Sequence, residues 1–91
     1  MAYYVYILKS LVDESFYKGF TENPVQRVIQ HNNGEMNYTS KKTPWIMVCI
    51  LEFLTKKEAL IAEKKLKKYD HTRLNNLIKT ERNLIDNFKF E

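Results

Sequence analysis

The chain has 91 residues, enough for one domain with a modest core and too few for two. Hydrophobic residues make up 44% and aromatic residues 13%, with two glycines and two prolines, which excludes a low-complexity chain and predicts compact regular structure. Fifteen Lys and Arg against eleven Asp and Glu give a formal charge of +4, compatible with a phosphate-bearing partner without specifying one.

Tyr3 to Leu8 is a run of β-favouring residues with apolar side chains on both faces. This predicts a strand covered on both sides and central in its sheet. Leu11 to Ser15 reads as a polar turn and Phe16 to Thr21 as the returning strand of a hairpin. Asn23-Pro24 is a helix start, with Asn as cap and Pro in the first turn. Val25, Val28, Ile29 and Asn32 share one stripe of that helix, and Gly34 marks its end. Residues Glu35 to Thr43 carry no periodicity and form the one substantial loop.

Trp45 to Phe53 is a long apolar strand interrupted by Glu52. Cys49, the sole cysteine, lies within it and reads as an inert core thiol. Thr55-Lys56-Lys57-Glu58 is a capping box, opening a helix expected to run to about Tyr69 or Asp70. Thr72 is the expected cap of a further helix carrying Leu74, Leu77, Ile78 and Ile85. The order β-β-α-β-α-α predicts a single small α/β domain over residues 1–91, with a three-stranded, mainly antiparallel sheet flanked by helices. No stretch approaches the roughly 20 apolar residues that cross a bilayer. The start of the chain lacks the basic and apolar regions of a signal peptide, so the expectation is a cytoplasmic protein with no membrane partner.

Three features break these patterns. Glu63 falls inside the Ala59, Ala62, Leu66 stripe of its helix, where a carboxylate is costly unless paired or bound to a metal. The bland alternative is a stripe-edge Glu paired with Lys67 one turn on. Lys57, Lys64 and Lys68, on the opposite side, read as a solvated face. Tyr6 and Tyr17 are expected nearly opposite each other across the hairpin on one face, as packing partners or as functional phenols. Arg27 and His31 share a helix face away from the apolar stripe, either as ordinary surface or as a phosphate clamp and a proton carrier. Two phenols, a guanidinium, an imidazole and one carboxylate together suit phosphodiester hydrolysis. No Gly-rich phosphate loop or zinc-spaced Cys/His set is present.

The residues that carry these features resemble the GIY-YIG nuclease superfamily. Tyr4-Val5-Tyr6 followed by Tyr17-Lys18-Gly19 is similar to its paired tripeptides. The resemblance continues through Thr21, Asn23, Arg27, His31-Asn32, Gly34, Thr39, Pro44-Trp45, Glu52 and Ala59-x-x-x-Glu63-Lys64, within residues 3–79. The most similar subset is the small stand-alone group related to the nuclease domain of the excision-repair incision subunit. Tyr4 replaces a motif Gly, and Lys18 replaces an apolar residue of the second tripeptide. The Asp70-His71-Thr72 segment is less basic than the resemblance leads one to expect.

The resemblance implies an endonuclease acting on DNA or RNA, with DNA the expected partner and repair or recombination the expected setting. Tyr6 and Tyr17 take the places of the motif tyrosines, one of them activating or steering water. Arg27 matches the arginine at the scissile phosphate, and His31 a position that assists proton transfer. Glu63 matches the carboxylate that holds a divalent metal, Mg²⁺ or Mn²⁺, and Gly19 the motif glycine that allows close approach. Gly19, Arg27, Tyr38, Thr39, Lys41 and Lys42 are the expected nucleic-acid contacts. The rival reading is a nucleic-acid-binding module without activity of its own, or one that needs a protein partner.

Overall fold

The computed structural model describes residues 2–90. The strands are β1 (Tyr3–Ser10), β2 (Phe16–Thr21) and β3 (Trp45–Phe53). They form an antiparallel sheet in the order β2-β1-β3, so the doubly apolar β1 is central, as its composition demands. The helices are α1 (Pro24–Asn32), α2 (Lys56–Leu66) and α3 (His71–Ile78).

Alternation along β1 builds the two sides of the core. Val5 and Ile7 pack with Cys49, Leu51, Ala59, Leu66 and Leu74, joining the sheet to α2 and α3. Leu8 packs with Val28 and Trp45 on the other face, with Phe90 of the C-terminal segment against them. Burial pushes the Cys49 thiol up to about 12, so it is an un-ionised core side chain.

The two sheet edges differ. A polar clip covers the outer edge of β3: Asn83 accepts from Ile50 N–H and donates to the Val48 carbonyl, at 3.0 and 2.8 Å. Leu84 N–H then bonds to the Ile50 carbonyl at 2.8 Å. The outer edge of β2 carries no strand partner among the described residues.

Several local expectations need correction. α2 ends at Leu66, before Tyr69, because its last turn tightens into i→i−3 bonds and Asp70 is extended to cap the next helix. Asp70, not Thr72, is that cap, accepting from Arg73 N–H at 2.9 Å. Ile85 lies outside α3, in a 3₁₀ turn over Ile85–Asn87. The buried face of α1 is Pro24, Val28 and His31, while Ile29 is exposed. Asn32 leaves the apolar stripe to clip the start of β3, accepting from Trp45 N–H at 2.6 Å and donating to its carbonyl at 2.9 Å.

Candidate active site

The hairpin register places Tyr6 opposite Gly19 and Leu8 opposite Tyr17. Tyr6 and Tyr17, expected nearly opposite, are therefore diagonal neighbours on one face. Their rings lie 6.3 Å apart. In the turn between the strands, Ser10 N–H bonds to the Ser15 carbonyl and Glu14 takes a left-handed conformation at φ 62°.

Gly19 is buried. A Cβ there would overlap the Tyr6 ring and hydroxyl. The missing side chain makes room for the phenol, which corrects the expectation that Gly19 lies open to nucleic acid.

The Tyr6 hydroxyl meets His31 Nε2 at 2.9 Å, and His31 Nδ1 meets Thr39 Oγ1 at 2.7 Å. All three side chains are buried. His31 is thus an interior residue, correcting its reading as part of a surface face. Burial, reinforced by the nearby Arg27 charge, pushes its pKa down to about 4. A neutral ring satisfies both contacts in either tautomer, and in one of them the Thr39 proton also finds an acceptor. Nδ1–H donates to Thr39, whose hydroxyl turns to the Met36 carbonyl at 3.3 Å, and Nε2 accepts the Tyr6 proton. The Thr39 carbonyl also accepts from Trp45 Nε1 at 2.9 Å. Thr39 therefore positions the imidazole and fastens the loop to the core, and does not face a nucleic-acid strand.

Tyr17 is half-buried at the centre of an aromatic group. Its ring lies 5.0 Å from His31, 5.8 Å from Tyr38 and 6.3 Å from Trp45. Its hydroxyl has no hydrogen bond within the protein among the described residues. Burial raises the pKa of both phenols. Tyr17 and Glu63 add to the rise at Tyr6, and Glu63 and Tyr38 add to it at Tyr17. Arg27 opposes the rise at both without overcoming it. Arg27 alone does not supply the depressed phenol that a free tyrosinate base requires.

The half-buried Arg27 makes no ion pair with a carboxylate among the described residues, so its charge is available to an anion. Glu63 comes from α2. Its side chain is 20% exposed, and its carboxylate is 3.8 Å from Lys67 Nζ. Its charge acts on both phenols, and it is loosely paired one turn on.

No group of three or more potential His, Cys, Asp or Glu ligands occurs among the described residues. One partly buried carboxylate whose charge acts on two phenols fits a hard divalent cation that keeps most of its water, such as Mg²⁺ or Mn²⁺. It does not fit a tetrahedral zinc site.

The remaining predicted contacts separate. Tyr38 is 75% exposed and stands over Tyr17. Lys41 is exposed. Lys42 is partly taken up by Asp13, at 3.1 Å. Sequence reasoning missed Thr39 as the support of His31 and Asn32 as the clip that holds α1 against β3. A polar residue inside an apolar stripe was the available signal for Asn32.

The GIY-YIG catalytic domain model matches residues 2–76. UPF0213 proteins of Natronomonas pharaonis and Enterococcus faecalis are 35% and 37% identical to the chain, each over 87% of it. The matched regions cover 93% and 92% of those proteins, so the relatives are similarly short. A structure-specific endonuclease subunit, SLX1 of Debaryomyces hansenii, is 40% identical over 79 residues, covering 78% of this chain and 23% of that protein. The solution NMR structure of a UPF0213 protein from Bacillus halodurans superposes with a TM-score of 0.58 at 30% identity, covering 96% of this chain and 93% of that one.

Proposed function

This chain belongs to the GIY-YIG family, and from that premise we propose that it is a metal-dependent endonuclease hydrolysing phosphodiester bonds, with DNA as substrate in repair or recombination and the cytoplasm as its compartment. The observation that carries this reading is the buried chain from Tyr6 through His31 to Thr39, with Arg27 and Glu63 acting on the same phenols.

Tyr6 donates its proton to His31, so the lone pairs of its oxygen are left to accept from the attacking water. As the water loses a proton to Tyr6, the phenol's own proton passes to Nε2, and no isolated phenolate is required. The negative charge of the substrate phosphate raises the proton affinity of His31 at that moment. Nδ1–H, held by Thr39, keeps the ring in the receiving tautomer. Tyr17 orients water or phosphate from the rim. The Arg27 guanidinium neutralises charge developing on the phosphate, two donors at a time. Glu63 would hold the cation, which supplies further charge neutralisation when bound.

The test is cleavage of labelled DNA and RNA, single-stranded, duplex and branched, with Mg²⁺, Mn²⁺ or chelator. Cutting that requires both the metal and Glu63 supports the reading. A Glu63→Ala protein that cuts as well as the parent overturns it. Salt-sensitive binding with no cutting in any lane leaves a binding module.

A further inference from the structure

At the open edge of β2, next to the Tyr6–His31 pair, lies a depression of about 440 Å³ lined by Phe16, Tyr17, Lys18, Tyr38 and Lys67. Both faces of the edge strand contribute to it. Tyr17 comes from the α1 side, and Lys18 from the opposite side, facing α2.

Two observations distinguish it from ordinary surface. First, Tyr38 is 75% exposed, its ring 5.8 Å from Tyr17 and tilted by 40°. The two rings form a wedge, and one aromatic face stays open to solvent. Second, Lys18 is half-buried and makes no ion pair with a carboxylate among the described residues. Burial, and then the charge of Lys67, press its pKa downward. Glu63, 3.8 Å from Lys67 Nζ, offsets only the Lys67 charge, so the half-buried Lys18 ammonium is left for a bound anion to neutralise.

An aromatic face beside paired cations matches a nucleotide with both base and phosphate accessible. Duplex bases are stacked on one another and present only their edges in the grooves. We propose that this depression binds an unpaired nucleotide, its base stacked on Tyr38 and its phosphate held by Lys18 and Lys67. The inference rests on the nuclease reading and names its substrate class: strands with a single-stranded segment at or beside the cut. Tyr17 belongs to both the wedge and the catalytic group, so a nucleotide bound there adjoins the scissile phosphate.

The test reads binding rather than cleavage. The full chain, in chelator and at low salt, is titrated with three labelled probes of equal length: oligo-dT, the same backbone with abasic residues, and a duplex. Oligo-dT is expected to bind more tightly than the abasic strand. Tyr38→Ala should weaken oligo-dT about 5- to 100-fold and leave the abasic strand unchanged, and Tyr38→Phe should restore the difference. Lys18→Gln should weaken both single strands and flatten their salt dependence. Equal affinity for abasic and dT strands, or indifference to Tyr38→Ala, overturns the groove. If metal- and Glu63-dependent cleavage persists in that case, only the groove falls. If no probe binds, the nucleic-acid reading falls with it.

Discussion

The ring of Tyr6 lies against the bare Cα of Gly19, its register partner on β2. Its hydroxyl, the part of the side chain nearest Gly19, is held by His31. The hydroxyl end of the phenol is thus fixed twice, by an absent side chain and by a hydrogen bond.

Gly19→Ala should therefore destabilise the protein by about 1–3 kcal/mol, because the ring has no buried space to move into. Denaturant unfolding measures this. Since the obstructing group is the Tyr6 ring, the cost of Gly19→Ala should shrink when Tyr6→Ala is already present. Strictly additive costs would mean that the strain lies elsewhere.

His31 sets a pH dependence. Its folded pKa is about 4, below the ordinary 6.5 that it regains on unfolding. The unfolded chain therefore binds the extra proton first as pH falls. The stability linked to this residue is fully present above about pH 6.5. It declines as pH drops toward 4, by up to about 3 kcal/mol. Unfolding free energies across this range should fall in the parent and flatten in His31→Gln. An equal slope in both proteins would remove His31 as the cause.

Tyr6→Phe keeps the packed ring and deletes the proton donor to a buried Nε2. Stability should fall by about 1–3 kcal/mol, the cost of a buried acceptor left unpaired. Under the proposed mechanism, turnover should fall by about 10²- to 10⁴-fold. Tyr17→Phe, which breaks no internal hydrogen bond among the described residues, should cost less in stability. Single-turnover cleavage beside thermal melts separates the two effects. A fully active Tyr6→Phe protein would exclude Tyr6 as the proton relay.

Asn83→Ala should unfasten the C-terminal segment from β3. It frees Ile50 N–H and the Val48 carbonyl at the sheet edge. A loss of about 1–3 kcal/mol is expected, along with concentration-dependent association through the uncovered edge. Light scattering and melting at two concentrations would detect both. No change in either would leave the clip without a structural role.

What the sequence determined by itself was local or set by alternation. Val5 and Ile7 against Tyr6 and Leu8 settled the two faces of a central strand. Asn23-Pro24 and Thr55 settled two helix starts. Each of these rules involves residues a few positions apart. Glu63 was legible as a misplaced charge for the same reason.

Only the tertiary structure decided what depends on distant partners. The Tyr6–Tyr17 offset and common face depend on the hairpin register, where a one-residue slip would part them. Helical spacing sent polar His31 to the surface. Its burial depends on Tyr6, 25 residues away, and on Thr39 in a loop without periodicity. The meaning of Gly19 likewise appears only when Tyr6 crosses it. A buried polar group is stable only where its hydrogen bonds are completed, and chain folding, not local pattern, brings those partners together.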